Sequence, residues 1–176
     1  RSNDRGNLHY CVKKMVHSKD SYLDLAFLVP LGLKAENPIP VPFLVYCNSR
    51  EDARLSAEYL QSRVSRELRK KIVWVHSSMS DEHKIRIVQQ FNEGNLIGLT
   101  STETLGLGHD LVNVTRLVQF CPPDNLSTLT QRFGRAARDP CISAVVILLA
   151  PKDYFQDTHQ ERAERARKAA ATKKHK

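Results

Sequence analysis

The sequence predicts an α/β protein with a parallel sheet, because short apolar runs alternate with amphipathic segments. The runs, which are the expected strands, are residues 43–47 (FLVYC), 72–75 (IVWV), 96–100 (LIGLT), 116–120 (RLVQF) and 144–150 (AVVILLA). Continuous apolar runs of this length are typical of strands buried on both faces. A chain of 176 residues has the size of one domain. We therefore expect a single domain built on one sheet.

The segments between these runs predict the remaining elements. Residues 8–16 (LHYCVKKMV) predict a further strand, and three prolines exclude a helix over residues 36–43. In one predicted helix Ile85, Val88 and Phe91 recur every three residues and indicate its buried face. Helices are predicted near residues 18–29, with Ser18 as N-cap, and over residues 50–69, 81–92 and 125–137.

Composition bounds the possible partners and compartments. The net charge of +8 is uneven, because residues 161–176 carry seven Lys or Arg and two Glu. We expect one domain over residues 1–160 and a basic tail, helical or frayed, over residues 161–176. No apolar run approaches about 18 residues, so no membrane span is expected. The start at Arg1, without a Met or a signal-like segment, indicates a piece of a longer polypeptide.

The four cysteines are widely spaced and form no C-x-x-C pair, so a zinc site is not expected. They are Cys11, Cys47, Cys121 and Cys141. Three of them lie within or beside apolar runs, and free thiols in such positions are typical of buried cysteines in a reducing compartment. We therefore expect them to be buried and reduced.

A cluster of three arginines marks the segment from Gln131 to Asp139 (QRFGRAARD). Arg132, Arg135 and Arg138 recur every three residues, which on a helix brings their guanidiniums onto one side. A guanidinium holds a permanent charge and a planar fork of donors that suits phosphate oxygens. Such a cluster can stabilise charge on a transferring phosphoryl group, or it can be a solvated helix face. The chain contains no G-x-x-x-x-G-K-[ST] phosphate loop, so we expect the arginines to be one half of a divided site.

Polar side chains follow the predicted strands, at the edge where ligands bind to parallel sheets. They are Asn48 and Ser49, His76 and Ser77, and Thr102. Hydroxyls and amides can contact phosphates without reading sequence, but Ser49 and Ser80 also stand where helix N-caps are expected. Trp74 lies inside a predicted strand, and we expect it in the core rather than in a base-stacking platform. This edge of the sheet is the predicted ligand site.

In order and spacing, these pieces resemble the second RecA-like domain of superfamily-two helicases, and most closely the RecQ family. Ser78, Lys84 and Ala137 stand where the family patterns have Gly, Arg and Gly. The resemblance implies a RecA-like, three-layer fold in which helices flank a parallel sheet. The similar segments are residues 43–50 (FLVYCNSR, motif IV), 75–84 (the H-x-G-L-S-D…R segment), 102–110 (TETLGLGHD, motif V), 131–139 (motif VI) and the N-terminal RSNDRGNLHY, which is similar to the R-P-N-I-x-Y entry.

The resemblance also implies roles for particular residues. Arg135 and Arg138 would be arginine fingers toward the γ-phosphate of ATP, and Gln131 would link hydrolysis to strand binding. Arg132 would contact nucleotide or pair with a carboxylate. Further nucleotide contacts would come from Gly106, Gly108 and Asp110, although a G-x-G-x-D pattern alone is as well explained by an ordinary turn. Contacts to a nucleic-acid strand would come from Asn48, Ser49, Arg50, His76, Ser77, Lys84 and Thr102, and no metal site is expected within the chain.

As a whole, the resemblance implies the C-terminal motor domain of an ATP-dependent DNA helicase that moves 3′ to 5′. ATP and Mg²⁺ would be held mainly by a first RecA-like domain of the same polypeptide, and the partner would be single-stranded or partly duplex DNA. We expect a soluble, monomeric fragment without ATPase activity of its own, a role in DNA repair or recombination, and a nuclear location in a eukaryote or a cytoplasmic one otherwise. Two alternatives stay open: a DEAD-box-like RNA helicase domain, and a non-catalytic nucleic-acid-binding module that kept the fold.

Overall fold

The computed structural model describes residues 5–102, 111–112 and 114–155, which form one sheet flanked by helices. Within these residues, six strands pair in parallel in the order β1-β6-β5-β2-β4-β3. The strands are β1 (Leu8–Lys14), β2 (Phe43–Tyr46), β3 (Ile72–Val75), β4 (Gly98–Ser101), β5 (Arg116–Phe120) and β6 (Ala144–Ala150). The α-helices are α1 (Arg50–Ser62), α2 (Asp81–Asn92) and α3 (Leu126–Phe133), and short 3-10 turns cover Lys19–Ser21, Leu23–Leu28, Arg69–Lys71 and Lys152–Phe155. The predicted tail over residues 161–176 lies outside the described residues.

The sheet separates two hydrophobic layers, because side chains along each strand alternate between its faces. On one face, α2 and α3 pack with Leu44, Leu99 and Leu117. On the other face, α1 packs with Phe43 and Val118. The predicted three-layer α/β architecture is therefore confirmed. Among the described helices, none is long and apolar enough to cross a bilayer.

The helix predicted over residues 18–29 is wrong, because the segment forms two 3-10 turns, Lys19–Ser21 and Leu23–Leu28. Tyr22, between the turns, has φ 55°, in the left-handed region, and this interrupts an α-helical hydrogen-bond ladder. The Ser18 side chain makes no cap hydrogen bond. Ser18 therefore stands at the position expected of an N-cap but does not cap an α-helix.

Two other predicted helices end early. Helix α1 ends at Ser62 rather than at residue 69, and Val64 then forms an isolated bridge with Leu33. Helix α3 ends at Phe133 rather than at residue 137. Ala137 has φ 43°, a left-handed conformation that an α-helix cannot contain. The helical spacing assumed for the arginines therefore does not continue past the end of α3.

The buried face of α2 is shifted from the predicted one. Ile85 is 40% exposed, so its assignment to the core is wrong. The buried residues are Lys84, Ile87, Val88 and Phe91, at the i, i+3, i+4, i+7 spacing of a helix with 3.6 residues per turn. A repeat of exactly three residues drifts off one face of such a helix, which explains the error.

The cysteines divide by burial. Cys47 is buried and Cys121 half-buried, and burial raises the pKa of their thiols to about 12 and about 11. Cys11 and Cys141 are exposed, so the expectation of buried thiols is wrong for these two. All four are free. Within the described residues, no group of three His, Cys, Asp or Glu side chains could hold a metal ion.

Candidate functional site

The carboxyl ends of three neighbouring strands bring polar side chains to one edge of the sheet. Asn48 lies beyond β2, Ser77 beyond β3 and Thr102 beyond β4. The three line a cavity of about 360 Å³, called here the strand cavity, together with Pro123, Asp124, Thr128 and Arg132. The structure thus brings together three of the residues predicted to contact nucleic acid. Their binding role stays a prediction.

Ser49, predicted at the same edge, is the N-cap of α1. Its Oγ accepts a hydrogen bond from the backbone N–H of Asp52 at 3.0 Å and donates one to the Asp52 carboxylate at 2.6 Å. The same hydroxyl therefore satisfies an otherwise unpaired N–H group in the first turn of the helix. Ser80 caps α2 in a similar way, by accepting from the backbone N–H of His83 at 3.4 Å.

A buried network of amides and one guanidinium lies beneath the strand cavity. Gln119 of β5 is fully buried, and its Nε2 donates to the Asn48 Oδ1 at 3.2 Å. Arg132 Nη1 donates to the same Asn48 oxygen at 2.9 Å and to Gln119 Oε1 at 2.8 Å. Arg132 is only 7% exposed, with its guanidinium 5.5 Å from the centre of the Tyr46 ring. Gln119 was not predicted as a site residue, although one polar residue inside an apolar strand is a visible signal.

A second set of contacts shapes the loop after β3. The Arg50 guanidinium donates to Ser77 Oγ at 2.8 Å. Lys84, predicted to reach nucleic acid, is 8% exposed and donates through Nζ to the Ser77 carbonyl at 3.0 Å and to the Asp81 carboxylate at 3.1 Å. His76 Nδ1 accepts from the backbone N–H of Ser78 at 3.2 Å. The buried Lys84 and the exposed Arg50 therefore both hold this loop through Ser77.

Arg135 and Arg138 lie beyond the end of α3, on a segment called here the arginine loop (residues 134–139). Arg135 is half-buried and lines a second cavity, of about 170 Å³, with Tyr46, Thr128, Gln131 and Arg132. Arg138 is exposed, further along the loop. Because Arg132 also lines the strand cavity, its side chain lies between the two cavities. This second cavity, called here the arginine cavity, offers a permanent positive charge and several hydrogen-bonding groups to an anion.

Two residues near the start of the chain hold the arginine loop in place. Arg5 donates hydrogen bonds to the carbonyl oxygens of Gly134 at 3.0 Å, Ala136 at 3.1 Å and Ala137. Asn7 Nδ2 lies 2.9 Å from the carbonyl oxygen of Ala137, and it also reaches the carbonyls of Asp139 and Ile142. These bonds stabilise the left-handed backbone of Ala137, at the position where the family pattern has Gly. The sequence gives no local signal for them, because the partners are about 130 residues apart.

Gly106, Gly108 and Asp110, the remaining predicted nucleotide contacts, lie outside the described residues. Six of the predicted site residues that the structure describes line the two cavities, whereas Ser49, Arg50, His76, Lys84 and Arg138 line neither. Gln131, Arg132 and Arg135 line the arginine cavity. Asn48, Ser77 and Thr102 line the strand cavity, where Arg132 joins them.

Fold and site together define a class of protein: a RecA-like domain with a polar, arginine-bearing edge. Residues 27–139 match the helicase conserved C-terminal domain family. The chain belongs to this family of helicase C-terminal domains.

Relatives and solved structures of several helicases are similar to this chain. It is 29% identical over 113 residues to "Probable ATP-dependent DNA helicase RecS" of Bacillus subtilis, covering 64% of this chain and 22% of that protein. It is 26% identical over 110 residues to "ATP-dependent RNA helicase cgh-1" of Caenorhabditis elegans, covering 62% of this chain and 24% of that protein. A DEAD box protein from the hyperthermophile Methanococcus jannaschii shares the fold with a TM-score of 0.65 at 17% identity, covering 93% of this chain and 41% of that one. The chain thus spans less than a quarter of the length of these two curated relatives.

Proposed function

We propose that this chain is the C-terminal half of a two-lobed, ATP-dependent helicase motor that moves 3′ to 5′ along DNA and belongs to the RecQ-like branch. A first RecA-like domain of the same polypeptide would hold ATP and Mg²⁺, and this chain, as a domain over residues 1–160, would complete the site. The observation that carries the proposal is the half-buried Arg135 in the arginine cavity, on a loop held by Arg5 and Asn7.

The residues of the arginine cavity fit the triphosphate of ATP from one side. Arg135 supplies charge, and Gln131 and Thr128 supply side-chain hydrogen-bonding groups. Bound ATP supplies the phosphoryl group whose transfer to water drives movement. Arg135 and Arg138 would stabilise the charge that builds up on that group, which in GTPases is worth about 10³–10⁵ in rate. Arg132, which is buried, would act by holding the cavity wall and joining it to Asn48.

The strand cavity suits the phosphates of one nucleic-acid strand. Asn48, Ser77 and Thr102 present an amide and hydroxyls, and Arg50 adds a cation at Ser77. Such groups contact phosphates without reading base sequence. Arg132, near the end of α3, lines both cavities and bonds to Asn48, so a shift of its side chain at the arginine cavity would also move Asn48 at the strand cavity. We propose that this shared side chain couples hydrolysis to grip on the strand.

Unwinding by the full-length protein tests this proposal. We expect ATP-dependent unwinding of a DNA duplex with a 3′ single-stranded tail, and loss of that activity in Arg135→Ala. The exposed Arg66 offers a matched control, so Arg66→Ala should unwind like the wild type. The 176-residue chain alone should hydrolyse almost no ATP, because it has no G-x-x-x-x-G-K-[ST] loop. Rapid, Mg²⁺-dependent hydrolysis by the pure chain would contradict the divided site.

A second candidate is an RNA helicase, which the similarity to the C. elegans RNA helicase favours. Hydroxyl and amide contacts to phosphates fit either nucleic acid, because they do not depend on the sugar. Matched DNA and RNA duplexes with the same tails separate the two candidates. Preferential unwinding of the RNA duplex would replace the DNA proposal, while strand binding with no ATPase in the full-length protein would favour a non-catalytic module.

The biological setting belongs to the same proposal. A motor on DNA single strands fits DNA repair or recombination, in the nucleus of a eukaryote or in the cytoplasm of a prokaryote. We propose that the chain acts as a monomer, because the divided site needs only the two lobes of one polypeptide.

A further inference from the structure

Two aromatic side chains stack at the edge of the sheet next to the strand cavity. Trp74 of β3 and His76, just beyond it, are two residues apart and so lie on the same face of the strand. Their ring centroids are 4.9 Å apart and their planes differ by only 22°. Both residues are half-buried, so the expectation that Trp74 belongs to the core is wrong. The physical reason is that β3 is an edge strand, paired only with β4.

The stack points toward the proposed path of the nucleic acid. His76 lies on the carboxyl side of Trp74, so the pair extends toward the edge where the strand cavity opens. Ser77, the next residue, lines that cavity. The Arg50 guanidinium bonds to Ser77 and places a cation at the same corner. A strand that is bound in the cavity and continues past Ser77 would pass beside the aromatic pair.

We propose that Trp74 and His76 form a stacking platform for one base of the bound single strand. This inference rests on the proposed function, since it requires a nucleic-acid strand in the strand cavity. A base has a π-face whatever its identity, so an aromatic platform holds it without choosing a sequence. Arg50 is placed to contact the phosphate next to the stacked base. The platform would hold the strand through a base, while the cavity holds it through phosphates.

The chain contains a single tryptophan, so its fluorescence reports directly on the platform. The test adds a labelled twelve-nucleotide oligothymidylate to the 176-residue chain, and follows binding by anisotropy and Trp74 by its emission. An abasic oligomer of equal length keeps the phosphates and lacks the bases. We expect thymidylate to quench the emission, and the abasic oligomer to bind more weakly without quenching. An oligouridylate arm should quench as well, because stacking does not need the deoxyribose.

Variants measure how much each ring of the platform contributes to the affinity for a single strand. Trp74→Ala should weaken thymidylate binding about 5- to 150-fold and leave abasic binding unchanged, and His76→Ala should weaken thymidylate binding by a similar factor. Tyr154→Ala, which removes an exposed aromatic residue near the opposite edge of the sheet, should change neither. Trp74→Phe should restore most of the affinity.

Two results would overturn the platform, and they are distinguishable. Equal affinity for thymidylate and the abasic oligomer, without quenching, would remove the platform and leave the proposed function standing. Failure of both oligomers to bind the wild-type chain would overturn the platform together with the proposed strand cavity. Because the abasic comparison uses the wild-type chain, it does not depend on whether any variant folds.

Discussion

Replacing Arg5 with alanine is predicted to release the arginine loop while the sheet stays folded. The change removes donors from three carbonyl groups, those of Gly134, Ala136 and Ala137. A hydrogen bond with a charged partner contributes about 1.5–3 kcal/mol, and two guanidinium nitrogens share these three acceptors, so we expect a loss of about 2–4 kcal/mol. The left-handed Ala137 loses its support at the same time, which favours local opening.

Urea unfolding and amide hydrogen exchange measure this effect in the 176-residue chain. In the wild type, the backbone N–H groups of Ala136 and Ala137 donate to Phe133 at 3.0 Å and to Val114 at 2.9 Å. We expect Arg5→Ala to speed exchange at these two amides far more than at amides of the central strands. Arg66→Ala is the matched loss of an exposed arginine and should change stability by less than about 0.5 kcal/mol. A similarly small loss in Arg5→Ala, with unchanged exchange in the loop, would refute the reasoning.

Three further predictions concern buried groups. A Cβ added to Gly98 would lie 2.1 Å from the ring of the fully buried Phe43, so Gly98→Ala should lower the free energy of unfolding by about 3 kcal/mol in a urea titration. Gly6 has open space around it, so Gly6→Ala is the control. Equal stabilities of the two variants would contradict the close contact between Gly98 and Phe43. The exposed Cys141 should react with a thiol reagent in the native state, whereas the buried Cys47 should react only on unfolding. Equal reaction rates of the two thiols in the native state would contradict the burial of Cys47. Since burial raises the pKa of Cys47 from 9.0 to about 12, the unfolded thiol ionises first, and stability should fall as pH rises through that interval.

The elements that the sequence predicted best are those whose pattern is local. The strands over residues 72–75, 116–120 and 144–150 are confirmed, because a short run of mostly apolar residues marks each one. The end of α3 was not predictable in this way. Nothing within α3 ends it at Phe133; the turn beyond it depends on carbonyl bonds from Arg5.

The candidate site likewise contains features that the sequence predicts and features that it does not. The convergence of Asn48, Ser77 and Thr102 follows from parallel topology, since the carboxyl ends of parallel strands share one edge. The roles of Arg5 and Asn7 depend on contacts between distant parts of the chain, which spacing cannot reveal. Local sequence patterns predict the sheet and its polar edge. Contacts between distant parts of the chain decide which side chains support the site and which can face a ligand.

Steady-state ATP hydrolysis by the full-length protein tests the divided active centre most directly. The measurement compares kcat and KM for ATP in Arg135→Ala and Arg138→Ala with those of Arg66→Ala, all with saturating single strand. We predict that kcat falls about 10³-fold or more in the first two variants, with KM changed much less, because an arginine finger acts mainly in the transition state. Arg66→Ala should match the wild type. Near-normal kcat in both Arg135→Ala and Arg138→Ala would contradict the assignment of this loop to the ATP site.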